Sequence, residues 1–138
     1  MTRSKTVITF GTYDLFHIGH LNVLHRAAAL GGRLVVGVSS DALNFSKKAA
    51  FPVFSQADRM AIIRAIRVVD EVFLEESLEQ KGDYIRAHHA DVLVMGDDWA
   101  GKFDMFRSLC EVVYLPRTEG ISTTAIKQGL ERERIVQA

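Results

Sequence analysis

The sequence predicts an α/β fold: a Rossmann-like, doubly wound sheet of five parallel strands flanked by helices. Short apolar strand patterns alternate with helix patterns along the chain, and strand patterns such as Val92–Gly96 are apolar at consecutive positions. Such alternation is typical of parallel sheets, and strands that are apolar on both faces are covered by helices on both sides. The 138 residues correspond to about one domain of ordinary size, so residues 1–138 are predicted to form a single domain.

Each element follows from a local pattern. Thr6–Phe10 is a β-branched and apolar run that ends at Gly11, and apolar residues then recur at helical spacing over Ile18–Leu30, where Gly31 and Gly32 end the helix. The same criteria predict further strands at Arg33–Ser39, Val68–Leu74, Val92–Gly96 and Val112–Leu115, and further helices at Gln56–Arg67, Leu78–His88 and Thr123–Glu133.

Two segments show no sustained period and are predicted to be loops. They are Ser40–Ser55 and Gly96–Phe106, and each follows a predicted strand. Long loops in an otherwise economical domain are usually functional. Because ligands of doubly wound sheets bind beyond the carboxyl ends of the strands, we expect both loops to border the binding site.

Composition restricts the classes of partner. Seventeen basic residues balance seventeen acidic ones, so the chain lacks the overall field of a nucleic-acid or membrane-surface binder, and any anion site must be local. Cys110 is the single cysteine, which excludes an internal disulfide and fits a reducing compartment. Residues 1–10 contain no apolar stretch long enough for a signal peptide or membrane span, so a cytoplasmic protein is expected.

The first predicted strand runs into an unusual turn, Gly11–His20 (GTYDLFHIGH), that matches neither the dinucleotide-binding fingerprint nor the P-loop. His17 and His20 flank Gly19 where the strand gives way to the helix. Imidazole N–H groups and the free N–H groups of a helix N-terminus suit phosphate, and a glycine lets a phosphate approach the backbone. The alternatives are a metal-binding pair or two helix-capping histidines.

A second candidate anion site precedes the last helix. Gly120 permits a sharp turn, and Ser122, Thr123 and Thr124 fall where the helix begins, so hydroxyls and unpaired N–H groups converge there. Arg117, at the preceding strand end, adds a guanidinium suited to phosphate oxygens. A plain Ser/Thr helix cap is the alternative.

The turn GTYDLFHIGH resembles the HxGH signature of the nucleotidyltransferase superfamily, in the form of its cytidylyltransferase branch. GDDW at residues 96–99 and RTEGISTT at residues 117–124 resemble the cytidylyltransferases that act on glycerol 3-phosphate, and the similarity runs from about Val7 to Lys127. The resemblance implies transfer of CMP from CTP to sn-glycerol 3-phosphate, giving CDP-glycerol and pyrophosphate for a teichoic-acid-like or capsular polymer. It also implies Mg²⁺ with CTP and a homodimer. Alternatives are cytidylyl or adenylyl transfer to another phosphorylated alcohol or sugar, and a non-catalytic nucleotide-binding module.

The resemblance also assigns site residues. Since the acceptor phosphate is largely a dianion near pH 7, the reaction needs no general base, and the protein must hold two polyanions together and neutralise their charge. The implied catalytic residues are His17, His20, Lys47 and Arg117. The implied nucleotide-binding residues are Thr12, Tyr13, His17, His20, Asp98, Arg117, Thr118, Ser122 and Thr123, and the implied acceptor-binding residues are Lys47 and Arg67. The metal ligands are left open: Asp14, or Asp97 and Asp98, are candidates to contact either the ion or a ribose hydroxyl.

The chain departs from the family pattern at two places. Family members carry two lysines separated by one residue where this chain has Lys47, Lys48 and Ala49, so the second lysine falls on Ala49 or is replaced by Lys48. Leu78 stands where the related bacterial enzyme tends to carry a tryptophan, which leaves Trp99 as the one indole of the chain. The remaining histidines are predicted to be structural or surface residues: His25, His88 and His89.

Overall fold

A computed structural model describes residues 4–137, and within that range strands and helices alternate as expected. No helix there is both long and apolar enough to cross a lipid bilayer. The strands are β1 (Thr6–Gly11), β2 (Arg33–Ser39), β3 (Glu71–Glu75), β4 (Val92–Gly96) and β5 (Glu111–Leu115), and the α-helices are α1 (Ile18–Ala28), α2 (Asp41–Lys48), α3 (Gln56–Arg64), α4 (Lys81–Ala87) and α5 (Thr123–Gln137).

The sheet confirms the predicted fold class. Its strand order is β3-β2-β1-β4-β5, and each neighbouring pair is parallel. The chain moves outward from β1 to β3 and then crosses back to β4, so the topological switch point lies between β1 and β4. Ligands of such sheets bind beyond the carboxyl ends of the strands at this point, where the turn after β1 and the loop after β4 meet.

The central strands are buried on both faces, which explains their consecutive apolar residues. On one face Val36 and Val94 pack with Leu24 of α1 and Ile63 of α3. On the other face a second layer packs around Ile85 of α4, and its buried members are Ile8, Phe10, Val35, Ala90, Leu93, Met95 and Val112. Burial in two layers fixes the sheet and holds the carboxyl ends of its strands in place.

The prediction of a loop over residues 40–55 is wrong in part, because α2 occupies Asp41–Lys48. Ser40 caps this helix by accepting a hydrogen bond from the Leu43 N–H at 3.0 Å. The buried Asn44 side chain donates to the Ser40 carbonyl at 2.9 Å. With eight residues, of which only Ala42, Leu43 and Phe45 are apolar, this helix is too short to show a sustained apolar period in the sequence.

Several predicted boundaries also shift by a few residues. The third helix ends at Arg64 and β3 begins at Glu71, so residues 65–70 form the connection. Helix α5 continues to Gln137, beyond the predicted end at Glu133. The segment after β4 contains two short 3₁₀ turns, at Asp97–Trp99 and Asp104–Ser108. Element ends are where local sequence patterns are weakest, since fraying and capping decide them.

Candidate active site

A cleft of about 860 Å³ opens at the carboxyl ends of the first four strands. Its floor includes Phe10 from β1, Ser39 from β2, Glu75 from β3 and Met95 from β4. Its position at the switch point is the one expected for the ligand site of a doubly wound sheet.

His17 and His20 form a reciprocal cap at the start of α1. The Nδ1 atom of His17 accepts a hydrogen bond from the Gly19 N–H at 3.0 Å, and the Nδ1 atom of His20 accepts one from the His17 N–H at 3.2 Å. The two rings stack with their centroids 3.8 Å apart. His20 lines the cleft, whereas His17 stacks on it and caps the helix. The capping alternative therefore describes the local geometry correctly, and it leaves the second nitrogen of each ring available.

The cap determines which nitrogen of each imidazole carries the proton. Because both Nδ1 atoms accept hydrogen bonds, the neutral rings carry their protons on Nε2. Burial lowers the pKa of His20 to about 4; the neighbouring His17 adds to the lowering, and Asp14 opposes it. Burial also lowers the pKa of His17. At neutral pH the pair is thus uncharged and supplies Nε2–H donors, the groups that can bind phosphoryl oxygens.

Gly19 is required by the cap itself. A Cβ atom at this position would lie 2.8 Å from Cε1 and 2.9 Å from Nδ1 of the His17 ring. Any other residue would push the ring off the helix start. Steric contact with His17 is thus a sufficient reason for a glycine here, independent of any phosphate.

The depressed pKa of His20 predicts a loss of stability in acid. Its folded-state value of about 4 lies below the ordinary 6.5, so the unfolded chain takes up the proton first, and protonation favours unfolding. The contribution is complete above the ordinary pKa and is lost as the pH falls towards the folded-state value. Melting curves between about pH 4 and pH 7 should show a smaller loss for His20→Gln than for the wild type. An identical pH dependence in both proteins would contradict this assignment.

Thr12 and Tyr13 also line the cleft, and each is held in the turn by its neighbours. The Thr12 hydroxyl donates to Oδ1 of Asn44 at 2.8 Å. Tyr13 is buried, its ring packs edge-on against His20 at 5.5 Å, and burial raises the pKa of its phenol. Tyr13 and Leu15 have φ angles of 56° and 51°, in the left-handed region that side chains other than glycine rarely adopt. Contacts outside the turn must therefore hold this conformation.

The structure brings the segment before α5 against the HxGH turn. The Thr123 hydroxyl donates to the Asp14 carbonyl at 3.0 Å, and the Asn22 amide donates to the Thr118 hydroxyl at 2.9 Å. Thr123 lines the cleft. The Ser122 hydroxyl accepts from the Ala125 N–H at 3.0 Å, which is the capping geometry weighed as the alternative. The two segments predicted to bind phosphate therefore adjoin one another at the same cleft.

Basic side chains lie on the cleft wall or beside it. Arg117 is 58% exposed and lies 4.0 Å from Oδ2 of Asp98, a residue of the cleft wall. Lys47 and Lys48 both line the cleft, so Lys48 is placed to supply the second lysine, whereas Ala49 is the left-handed end of α2. Desolvation lowers the pKa of Lys47, while Glu75 opposes the shift. Lys47 and Lys48 therefore place positive charge on the cleft wall, and Arg117 lies beside it.

Six of the residues considered for the site do not line the cleft: His17, Arg67, Asp97, Arg117, Thr118 and Ser122. His17, Arg117, Thr118 and Ser122 adjoin residues that do, whereas Arg67 lies far from it. Arg67 is exposed in the connection between α3 and β3, at the amino end of the sheet, and a single chain does not bring it to the cleft. Asp97 is exposed in the 3₁₀ turn beside Asp98. Trp99 and Leu78 both line the cleft, although each is more than two fifths exposed.

Sequence reasoning missed three buried charged residues around the cleft. Lys81 and Glu75 form an ion pair of 2.6 Å on its floor, and their side chains are 3% and 2% exposed. Arg59 is completely buried and donates to the carbonyls of Thr12 and Ser39, both at 2.8 Å. Local sequence carries no signal for such partners, because they come from distant elements. Lys127 also lines the cleft, one turn after Thr123 in α5. Residues four apart lie on the same face of a helix, so the sequence could have indicated Lys127 once Thr123 was assigned to the site.

The comparisons with known proteins agree with this geometry. The family model described as cytidylyltransferase-like matches residues 8–129. The chain is 55% identical over 127 residues to the glycerol-3-phosphate cytidylyltransferase of Bacillus subtilis (strain 168), covering 91% of this chain and 97% of that protein. It is 48% identical over 127 residues to the enzyme of the same name from Staphylococcus aureus (strain NCTC 8325 / PS 47), covering 91% and 95%.

Among solved structures, the lipopolysaccharide core biosynthesis protein from Thermoplasma volcanium GSS1 matches with a TM-score of 0.75 at 22% identity. That match covers 85% of this chain and all of the other, and it shows the fold alone. The match to the family model and the high identity to the two bacterial enzymes go further. The chain belongs to the cytidylyltransferase-like family.

Proposed function

We propose that this enzyme transfers CMP from CTP to sn-glycerol 3-phosphate, with CDP-glycerol and pyrophosphate as products. The observation that carries the proposal is the meeting of the HxGH turn and the segment of residues 117–124 at one cleft. The similarity to glycerol-3-phosphate cytidylyltransferases supports the choice of nucleotide and acceptor. CDP-glycerol then serves a teichoic-acid-like or capsular polymer.

In this reaction a phosphate oxygen of glycerol 3-phosphate attacks the α-phosphorus of CTP. The new P–O bond forms while the bond to the pyrophosphate breaks, and pyrophosphate carries away the negative charge. No proton has to leave the nucleophile, because the phosphate is already ionised. Catalysis then depends on holding the reactants in line and stabilising charge on the phosphoryl oxygens.

Each side of the cleft has a role in that scheme. His20 donates its Nε2–H to the phosphate chain, and His17 orders the ring by stacking on it and contributes its own Nε2–H. Arg117, Thr118, Ser122 and Thr123 hold the distal phosphates. Lys47, with Lys48 beside it, draws the acceptor phosphate towards the α-phosphorus.

Mg²⁺ is expected to arrive with CTP. Within residues 4–137, no three His, Cys, Asp or Glu side chains converge into a metal site, so the ion would take most of its ligands from the phosphates. Asp98 fits as a protein ligand, because its exposed carboxylate lies on the cleft wall, although the ion would then share it with Arg117. Bound there, the ion would neutralise charge on the phosphate oxygens.

The test is release of pyrophosphate from CTP in the presence of glycerol 3-phosphate. The proposal expects turnover with CTP and little with ATP. Turnover with a different phosphorylated alcohol, such as ribitol 5-phosphate, would retain the mechanism and replace the acceptor. Preference for ATP would indicate an adenylyltransferase, and CTP binding without turnover on any acceptor would indicate a binding module.

Arg117→Lys is expected to weaken CTP binding although the charge is kept. Lysine lacks the planar fork that binds phosphate oxygens through two parallel N–H groups, so the KM for CTP should rise about tenfold or more. Steady-state kinetics with CTP varied at saturating acceptor would measure it. Arg107→Lys, an exposed arginine in the 3₁₀ turn before β5, is the matched control. Unchanged kinetics in Arg117→Lys would remove Arg117 from the phosphate site.

The quaternary state and cellular location belong to the same proposal. A homodimer is expected from the family resemblance, and light scattering on the purified protein would test it. The location is expected to be the cytoplasm, with small phosphorylated substrates and no nucleic-acid or membrane partner.

A further inference from the structure

Asp14 lies in the HxGH turn with its side chain almost completely buried, and both carboxylate oxygens accept hydrogen bonds. Oδ1 accepts from the backbone N–H groups of Leu15 at 3.1 Å and Phe54 at 2.9 Å. Oδ2 accepts from the Val53 N–H at 2.7 Å, and Nζ of Lys127 lies 3.7 Å from it. A carboxylate engaged in this way fits a structural role better than that of an exposed ligand for an ion or a ribose.

Val53 and Phe54, whose N–H groups bind Asp14, belong to residues 49–55. This segment joins α2 to α3 and is here called the strap. Ala50, Phe51 and Pro52 of the strap line the cleft. The strap begins directly after Lys47 and Lys48, the cleft lysines at the end of α2. Its path therefore sets one cleft wall and the position of these two charges.

The HxGH turn is bonded both to α2 and to the strap that follows it. At one end the Thr12 hydroxyl bonds to Asn44 of α2, and at the other end Asp14 bonds to Val53 and Phe54. The Asp14 carbonyl also accepts the hydroxyl of Thr123, at the start of α5. One residue thus contacts the HxGH turn, the strap and the α5 segment, which are the three parts that would have to align two anionic substrates.

We infer that Asp14 is a positioning residue whose carboxylate fixes the strap, and with it Lys47, in the geometry required for transfer. This inference rests on the proposed function. Misplacing a charged group by about 1 Å can lower a rate about 100-fold, so loosening the strap should lower turnover by displacing Lys47. Asp14 itself also lines the cleft, and the exchange measurement below separates its effect on the strap from a direct contact with substrate or metal.

The test replaces Asp14 by asparagine, which keeps the size but offers one acceptor oxygen instead of two and adds a donor facing backbone N–H groups. Asp14→Asn is expected to lower kcat with CTP and glycerol 3-phosphate by about 100-fold. Hydrogen exchange at the Val53 and Phe54 amides should quicken about tenfold or more, while amides of β4 keep their protection. Asp91→Asn is the matched control, since Asp91 accepts the Thr6 N–H at 2.8 Å at the opposite end of the sheet; its turnover and strap exchange should match the wild type.

Three outcomes would overturn the inference. They are loss of turnover with unchanged strap exchange, faster strap exchange with normal turnover, and a raised Mg²⁺ requirement with unchanged exchange, which would make Asp14 a metal ligand. If Asp14→Asn does not fold, exchange in the wild type decides: the Val53 and Phe54 amides should be protected more than those of Ala50 and Phe51, and equal exchange would show that Asp14 does not fix the strap. A wild type without activity on CTP and glycerol 3-phosphate would refute the proposed function, whereas the exchange data would still test whether Asp14 fixes the strap.

Discussion

His20→Ala is expected to lower turnover with CTP and glycerol 3-phosphate by about 100-fold or more while the protein remains folded. The ring lines the cleft and offers a neutral Nε2–H, so its removal takes away a donor that would act on the phosphate chain. The structural loss comprises one hydrogen bond from the His17 N–H, the stacking on the His17 ring, and ring contacts with Tyr13 and Phe16. Losing such a capping contact costs about 1 kcal/mol. Single-turnover rates and thermal melting, measured on the same sample, separate the two effects.

His25→Ala provides the matched control for that variant. His25 lies on the same helix, in its last turn, and is exposed to solvent away from the cleft. Its replacement should change neither turnover nor melting to any large extent. Unfolding of His20→Ala, or turnover close to wild type, would assign His20 to the helix cap alone. His17→Ala should lose more thermal stability than His20→Ala, because His17 is the N-cap residue itself.

Lys81→Met is expected to destabilise the fold by about 3–5 kcal/mol. The Lys81 ammonium lies 2.6 Å from Oε2 of Glu75 and 3.7 Å from the centroid of the Phe10 ring, with both charged side chains buried. Methionine fills the same space but leaves the Glu75 carboxylate without its cation. Burial lowers the pKa of Lys81, because it disfavours the charged ammonium, and the neighbouring Glu75 carboxylate opposes that shift. The pair is therefore stable only while both charges are present. Urea unfolding monitored by circular dichroism would measure the change.

Two further variants identify the cause of that loss. Adding Glu75→Gln to Lys81→Met removes the unpaired charge and keeps an acceptor for the Ser39 hydroxyl, so most of the lost stability should return. Arg86→Met on the same helix removes a cation from an exposed pair with Asp83, and its effect should stay below about 1 kcal/mol. If the double variant is no more stable than Lys81→Met, the loss comes from packing and not from the unpaired carboxylate.

The elements that sequence predicts best here are those with a strong hydrophobic pattern. Strands β2 and β4 were bounded correctly because their apolar side chains alternate between two buried layers. The HxGH turn and the segment before α5 could be assigned to one cleft, since both lie at the carboxyl end of a strand. Helix α2 escaped prediction because its eight residues are too few to show a sustained apolar period, and the buried Asn44 and the capping Ser40 hold it through polar contacts.

Long-range polar contacts explain the site residues that could not be predicted from the sequence. Arg59 looks like any helical arginine, and only the folded chain shows its guanidinium bonding to the carbonyls of Thr12 and Ser39. Lys81 is likewise not distinguishable from Arg86 by its neighbours in sequence. Arg67 shows the opposite case: the family resemblance implies a substrate contact, and within one chain the residue lies at the far end of the sheet. Tertiary neighbours decide these positions.

The left-handed backbone at Tyr13 and Leu15 bears on how this enzyme could be evolved or engineered. Each such residue costs about 1 kcal/mol or more, so the conformation of this turn lowers the stability of the fold whether or not substrate is bound. A glycine at either position would relieve that strain and would also let the turn sample other shapes. Gains in thermostability sought at these two residues therefore oppose turnover, whereas the exposed face of α4 offers substitutions without that conflict.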